Sequence, residues 1–110
     1  MFNSSKVKNI SAEEAYKLIN DDKEFIIIDV RTKEEYDDGH IPGAKLIPVQ
    51  ILPMKLDELG VYKDKSVLVY CASGGRSPRA VEILVNNDFK NIYHLSRGIS
   101  SWRFSLSSKV

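Results

Sequence analysis

The chain has 110 residues and a formal net charge of +1, with 43% hydrophobic and 28% charged residues. This length suits one domain rather than two, and the composition excludes a disordered, collagen-like or coiled-coil chain. The near-zero net charge also argues against a sequence-wide binder of nucleic acid. We therefore expect a single domain over residues 1–110, with a frayed tail at about residues 105–110.

The apolar runs are too short for a membrane segment. The longest, residues 67–72, has six residues, whereas a spanning helix needs about 20. Residues 1–10 are polar and carry no signal peptide pattern. Cys71 is the only cysteine, so neither an intramolecular disulfide nor a metal site of several thiolates is expected. A cytoplasmic location and no membrane partner are the corresponding expectations.

Strand and helix patterns alternate along the chain. The predicted strands span residues 7–10, 25–30, 44–47, 66–70 and 92–95. The predicted helices begin at Ser11, Thr32, Ile51, Ser77 and Gly98. Ser11 and Thr32 each start a capping box, and Ser77 precedes Pro78 as an N-cap residue would. This alternation predicts βαβ units and a parallel sheet, in which ligands bind beyond the carboxyl ends of the strands.

One such strand end carries the residues with the clearest chemistry. Cys71 ends the apolar run, two glycines follow it, and Ser77 then begins a helix. Such a loop can turn several N–H groups toward an anion, and the helix dipole favours negative charge at the same place. A thiol in this position has a lowered pKa and becomes a nucleophile, an effect that Arg76 and Arg79 would strengthen.

The alternative for Cys71 is a buried structural cysteine, which is the usual role of a lone cysteine at the end of an apolar strand. The glycine-rich turn and the helix start behind it favour the nucleophile instead. The charge distribution agrees with an anion site in this part of the chain. Residues 71–110 contain six basic and two acidic side chains, whereas the rest of the chain has a net charge of −3.

At this point the chain resembles the single-domain rhodaneses over almost its whole length. The matching segments are Asp29-Val30-Arg31, Glu34-Glu35-Tyr36, Gly39-His40-Ile41-Pro42-Gly43-Ala44, Cys71-Ala72-Ser73-Gly74-Gly75-Arg76-Ser77 and the ending from Tyr93 to Trp102. Each segment alone is weak evidence, but their order and spacing together are specific. The resemblance implies an α/β fold with a five-stranded, mainly parallel sheet flanked by helices on both faces.

The resemblance also implies a sulfurtransferase without a cofactor or metal. The Cys71 thiolate would take the outer sulfur of a small anionic donor such as thiosulfate, or of a persulfide, and keep it as a persulfide. The N–H groups of the loop would hold that sulfur, and a thiol or sulfur-relay protein would accept it. The residues expected to bind substrate are Ala72, Ser73, Gly74, Gly75, Arg76, Ser77 and Arg97.

Arg97 departs from the family pattern, which more often has glycine at this position, so it could add charge to the pocket or crowd it. Arg76 could bind the sulfonate end of a donor. The remaining matched residues are expected to be structural. Asp29 would accept local N–H bonds, Arg31 would pair with Glu35 or a carbonyl, and His40, His94 and Trp102 would pack.

Two other functions stay open from the sequence. The first is a cysteine phosphatase or arsenate reductase, whose loop has five residues between cysteine and arginine. Here four residues separate Cys71 from Arg76, and no aspartate in the loop is available as a general acid. The second is a non-catalytic rhodanese-like binding module, which an unreactive Cys71 would support. The physiological donor, the acceptor and the oligomeric state cannot be inferred from this sequence.

Overall fold

A computed structural model describes residues 6–21 and 25–108, which form a five-stranded parallel sheet in the spatial order β1-β5-β4-β2-β3. The strands are β1 (Val7–Ile10), β2 (Phe25–Asp29), β3 (Lys45–Leu46), β4 (Ser66–Tyr70) and β5 (Asn91–Leu95). The α-helices are α1 (Ala12–Asp21), α2 (Lys33–Asp38), α3 (Leu52–Leu59) and α4 (Ser77–Val85). The predicted α/β fold and the parallel sheet are confirmed. Residues 1–5, 22–24, 109 and 110 of the predicted domain lie outside the described residues.

Helices cover both faces of the sheet, as expected. Ile28, Val67 and Val69 point to one face and pack with α3 and α4, whereas Leu68 and Tyr70 point to the other and pack with α1. Alternate residues of the central strands therefore enter two separate apolar clusters. This double burial explains why the sequences of β2 and β4 are nearly continuous apolar runs.

Both predicted capping boxes form. At the start of α1 the N–H of Glu14 donates to Ser11 Oγ, and the N–H of Ser11 donates to Glu14 Oε1. Thr32 and Glu35 make the same exchange at the start of α2, and Gly39 ends that helix. These exchanges satisfy N–H groups that the first turn of a helix leaves without intrahelical partners.

The segment after β5 differs from the prediction. A helix over residues 98–104 was expected, but the structure has only a 3-10 turn, Ile99–Ser101, followed by extended backbone at Trp102. The N–H groups of Ile99 and Ser100 donate to the carbonyls of Cys71 and Ala72, so they are tied to another loop. Serine and tryptophan also have lower helix propensity than alanine or leucine, so little favours extending the turn.

The tail is anchored where it was expected to fray. The backbones of Ser107 and His40 exchange two hydrogen bonds, each 2.8 Å long. The Phe104 ring stacks on Tyr16 at a centroid distance of 3.9 Å, and Trp102 packs edge-on against Phe104. These contacts fix the segment over α1 through residue 107. In the part of the chain that the structure describes, no helix has the length and apolarity needed to cross a membrane.

Candidate active site

Strand β4 delivers Cys71 to the carboxyl edge of the sheet, between β5 and β2. Cys71 follows the last residue of β4, and only 1% of its surface is exposed. Its Sγ accepts N–H hydrogen bonds from Gly74 at 3.1 Å and from Ser77 at 3.3 Å. The loop of residues 71–77, called the Cys71 loop below, therefore directs two of its N–H groups at the sulfur.

The surroundings of Cys71 favour its ionised form. Burial acts to raise the pKa of the thiol, but the hydrogen bond between Cys71 and the Ser77 side chain and those from loop N–H groups lower it. The net result is that the pKa of Cys71 lies below its ordinary value. A thiolate accepts hydrogen bonds from N–H donors more strongly than a thiol does, so these donors promote a nucleophile.

The turn of the Cys71 loop requires glycine at position 74. Gly74 has a φ of +97°, and a Cβ at this position would collide with the carbonyl oxygen of Ser96. Gly98 has a φ of +66°, and a Cβ at this position would likewise collide with the carbonyls of Cys71 and Ala72. The segment after β5 therefore packs directly on the Cys71 loop, and a side chain on either glycine would separate them.

Arg76 is held by an acidic partner rather than left open for a ligand. Its two terminal nitrogens donate to the two carboxylate oxygens of Glu35, at 2.8 and 2.9 Å. The hydrogen bond from Arg76 is the main reason why the pKa of Glu35 falls to about 2. Of the two partners predicted for Arg31, the carbonyl is confirmed and Glu35 is not, because Arg31 bonds to the Gly39 carbonyl and to Asp29.

Other residues predicted for the site are exposed on the Cys71 loop or are bonded to groups outside it. Ser73 and Gly75 are exposed on the outside of the Cys71 loop, and Ala72 is held through its carbonyl by Ser100. Arg79 points outward and pairs with Glu82 at 2.8 Å. Among residues 6–21 and 25–108, no three His, Cys, Asp or Glu side chains are grouped so that they could hold a metal ion.

Comparisons with known proteins agree with this geometry. The model of the rhodanese-like domain family matches residues 11–105. This chain belongs to the rhodanese-like family. A Staphylococcus aureus rhodanese-like domain protein of known structure is 34% identical, with a TM-score of 0.78, and the match covers 94% of this chain and 99% of the other. A rhodanese-related protein from Thermoplasma volcanium is 31% identical over 91% of this chain and 97% of the other, with a TM-score of 0.79.

The relatives that match this chain in sequence carry two different protein names. A protein of Allochromatium vinosum named sulfurtransferase is 31% identical over 87% of this chain and 88% of its own length. A tRNA uridine(34) hydroxylase of Pectobacterium atrosepticum is also 31% identical, over 89% of this chain. The chain spans only 29% of that second protein. The rhodanese-like domain thus occurs both as nearly the whole of a relative and as a part of a larger one.

The arginine that departs from the rhodanese pattern lies beside a separate cavity. Arg97 is exposed, and it lines a cavity of about 590 Å³ together with Asn9, Ser100 and Arg103. No residue of the Cys71 loop lines this cavity. Arg97 has a negative φ, unlike Gly98, so its backbone conformation suits a residue with a side chain. Its predicted effect on substrate choice stays a prediction.

Sequence reasoning missed the contact of His94 with this rhodanese-like site. His94 is 4% exposed, and its Nε2 lies 2.6 Å from Ser77 Oγ, which in turn accepts a hydrogen bond from Cys71 Sγ at 3.3 Å. Ser77 was expected to cap α4, but the cap position is Arg76, and Pro78 takes the second helical position. The Ser77 hydroxyl is occupied by His94 and Cys71, which explains why it does not cap the helix.

One signal in the sequence could have found His94. A histidine in the last strand, one residue before its end, lies near the carboxyl edge where ligands of parallel sheets bind. In the structure His94 is in register with Val69 of β4, two residues before Cys71. What the sequence could not supply was the strand order, which makes β5 the direct neighbour of β4.

Proposed function

We propose that this protein is a sulfurtransferase that carries sulfur as a persulfide on Cys71. The observation that supports this most directly is the thiol at the end of β4, whose Sγ accepts N–H bonds from Gly74 and Ser77. The same donors can hold an anionic sulfur in place after transfer. Family membership and the relative named sulfurtransferase support an enzyme of this type.

The proposed reaction has two displacements at sulfur. The Cys71 thiolate attacks the outer sulfur of thiosulfate, the bond between the two donor sulfurs breaks, and sulfite leaves with its electron pair. The product is a persulfide anion on Cys71. A thiolate or cyanide then attacks the outer sulfur of that persulfide, and Cys71 leaves as a thiolate again. Neither step changes the number of protons, and ping-pong kinetics are expected.

The ion pair of Arg76 and Glu35 bears on the choice of donor. A sulfonate group can bind Arg76 only in competition with a carboxylate that already contacts both terminal nitrogens. We therefore propose that persulfides, whose reacting end carries a single charge, compete well with thiosulfate as donors. The proposed acceptor is a small thiol or a sulfur-relay protein.

Intact mass spectrometry tests this function. The protein is incubated with thiosulfate, and in parallel with a cysteine persulfide donor, without reductant. The expected result is a gain of one sulfur atom that cyanide or a thiol removes. Because Cys71 is the only cysteine, the site of the adduct is defined, and Cys71→Ser should show no gain. A protein that gains no sulfur from either donor would contradict the proposal.

A second candidate function is a cysteine phosphatase. A Rhodopseudomonas palustris protein described as a possible tyrosine phosphatase is 26% identical, with a TM-score of 0.79, and the match covers 90% of this chain and 81% of the other. That likeness is the observation in its favour. Hydrolysis of an aryl phosphate that is lost in Cys71→Ser would support it, whereas sulfur transfer without hydrolysis would reject it.

A further inference from the structure

A buried row of hydrogen bonds leads away from the Cys71 thiol. Cys71 Sγ and Ser77 Oγ are 3.3 Å apart, and Ser77 Oγ and His94 Nε2 are 2.6 Å apart. His94 Nδ1 then lies 2.9 Å from Asn9 Oδ1. The four residues come from the end of β4, the start of α4, β5 and β1, so the sheet and one helix together position them.

The donors in this row all point in one direction. The Oδ1 atom of Asn9 only accepts, so the hydrogen of a neutral His94 ring sits on Nδ1. Its Nε2 is then an acceptor, and the hydroxyl of Ser77 donates to it. A lone pair of Ser77 Oγ remains to accept the S–H of Cys71. Each proton in the row therefore faces the next acceptor on the way from the thiol to the imidazole.

Burial of these residues limits where the thiol proton can go. Cys71, Ser77 and His94 are all buried, so bulk water has little access to the thiol proton. The base that removes the proton must therefore be a protein group or must reach it through one. Asn9, at the far end of the row, is exposed and lines the cavity beside Arg97.

We propose that His94 is a positioning residue that accepts the proton of Cys71 through the hydroxyl of Ser77. In this step the thiol proton moves to Ser77 Oγ while the hydroxyl proton of Ser77 moves to His94 Nε2. The products are a thiolate and an imidazolium, so the net charge is unchanged. Ser77 then donates to the thiolate, and Asn9 Oδ1 accepts from the imidazolium. This inference rests on the proposed function of Cys71 as the nucleophile.

The charged groups that the structure describes beside the row already have partners of their own. Near the thiol, Arg76 is paired with Glu35, whose carboxylate already bonds to that arginine. Asp29 also acts on Arg76, and its carboxylate is bonded to Arg31 and to the Tyr70 hydroxyl. In the adjacent strands His94 is in register with Asn9 of β1 and Val69 of β4, neither of which is charged. Burial lowers the pKa of His94 and so favours its neutral form, in which Nε2 is an acceptor.

The test is the pH dependence of alkylation of Cys71 by iodoacetamide. His94→Gln should react about tenfold more slowly near pH 7 but reach the same limiting rate at high pH, because only the thiolate fraction changes. Ser77→Ala should behave alike, and the double variant should be no slower than either single one. His40→Gln, the matched control at the other histidine, should follow the wild-type profile.

Three results would overturn the inference: a His94→Gln profile that overlays the wild type, a rate lowered equally at every pH, or full additivity with Ser77→Ala. If His94→Gln fails to fold, Asn9→Asp replaces it, because a carboxylate beside Nδ1 stabilises the imidazolium. Alkylation near pH 6 should then be faster, and an unchanged rate would reject the relay. Alkylation needs no sulfur donor, so loss of sulfur uptake with these profiles intact would remove the proposed function and leave the relay.

Discussion

At the scale of single residues, the hydroxyl of Tyr70 joins the end of β4 to a buried charge. It donates to Asp29 Oδ2 at 2.6 Å and accepts from the N–H of Ile41 at 3.1 Å. Asp29 is also paired with Arg31. Burial and the bond to Asp29 raise the pKa of Tyr70, so the hydroxyl stays protonated and keeps donating.

Tyr70→Phe should therefore destabilise the protein by about 1 to 3 kcal/mol, because it leaves the Ile41 N–H and part of the Asp29 carboxylate without a partner. Urea unfolding would measure the change. Tyr93→Phe is a suitable control, since the half-buried Tyr93 ring packs on Phe25, and we expect it to cost less than about 0.5 kcal/mol. Equal losses in the two variants would contradict this explanation.

The low pKa of Glu35 predicts that stability is lost over a defined range of pH. Its pKa in the folded protein is about 2, against an ordinary value of 4.5. The folded state therefore binds fewer protons than the unfolded state between these values. The stability that the pair with Arg76 contributes is fully present above about pH 4.5 and is lost as the pH falls toward about 2.

Glu35→Gln should cost about 1 kcal/mol of unfolding free energy near pH 7, and the difference from the wild type should shrink at low pH. Glutamine can still accept from the Thr32 N–H, so the cap of α2 is retained. Glu82→Gln is the control, because the pair of Glu82 with Arg79 is mostly exposed and is expected to contribute less than about 0.5 kcal/mol. A difference that does not vary with pH would refute the assignment to this carboxylate.

At the scale of the elements, the contact between the Cys71 loop and the segment after β5 depends on glycine. Gly74→Ala should lower stability by about 1 to 3 kcal/mol, since it combines a positive φ with a collision at Ser96. It should also slow sulfur transfer about tenfold, because the Gly74 N–H would move away from Cys71 Sγ.

The matched control for stability is Gly75→Ala. A Cβ at Gly75 meets nothing within 4 Å, and its φ lies outside the strained region. The cost of this substitution should be within about 0.5 kcal/mol in thermal or urea unfolding. If Gly75→Ala were as destabilising as Gly74→Ala, then loop flexibility rather than the contact with Ser96 would explain both.

The elements also show what the sequence could predict. Local patterns were sufficient for the strands, both capping boxes and the position of Cys71, because each depends on residues a few positions apart. Contacts between distant segments were not predictable in the same way. Glu35 was one of two partners considered for Arg31, and its pairing with Arg76 became visible only when α2 and the Cys71 loop were placed side by side. His94 joins Asn9 across 85 positions of sequence, and only strand order brings the two together.

At the scale of the whole molecule, His94 and Glu35 should each make stability depend on pH, in separate ranges. Burial lowers the pKa of His94 below 6.5, so the folded state binds fewer protons than the unfolded state as the pH falls below that value. The wild type should lose stability there, by at most about 1.4 kcal/mol per pH unit. Glu35 acts only at lower pH.

The slope of unfolding free energy against pH, from about pH 8 to about 5, measures this effect. His94→Gln should lack the slope below pH 6.5, even if its absolute stability is lower, whereas His40→Gln should keep it. A slope that persists unchanged in His94→Gln would assign the lost stability to other groups.

Trp102 is the only tryptophan of the chain, and its position makes it a natural fluorophore for events at Cys71. Its backbone N–H donates to the carbonyl of Ile99, whose own backbone N–H donates to the carbonyl of Cys71. Two peptide groups thus connect the reacting residue to an indole that packs against Phe104. We therefore expect a shift of the Cys71 backbone on loading with sulfur to change the intrinsic emission of Trp102, which stopped-flow fluorescence after addition of a donor would measure without a label.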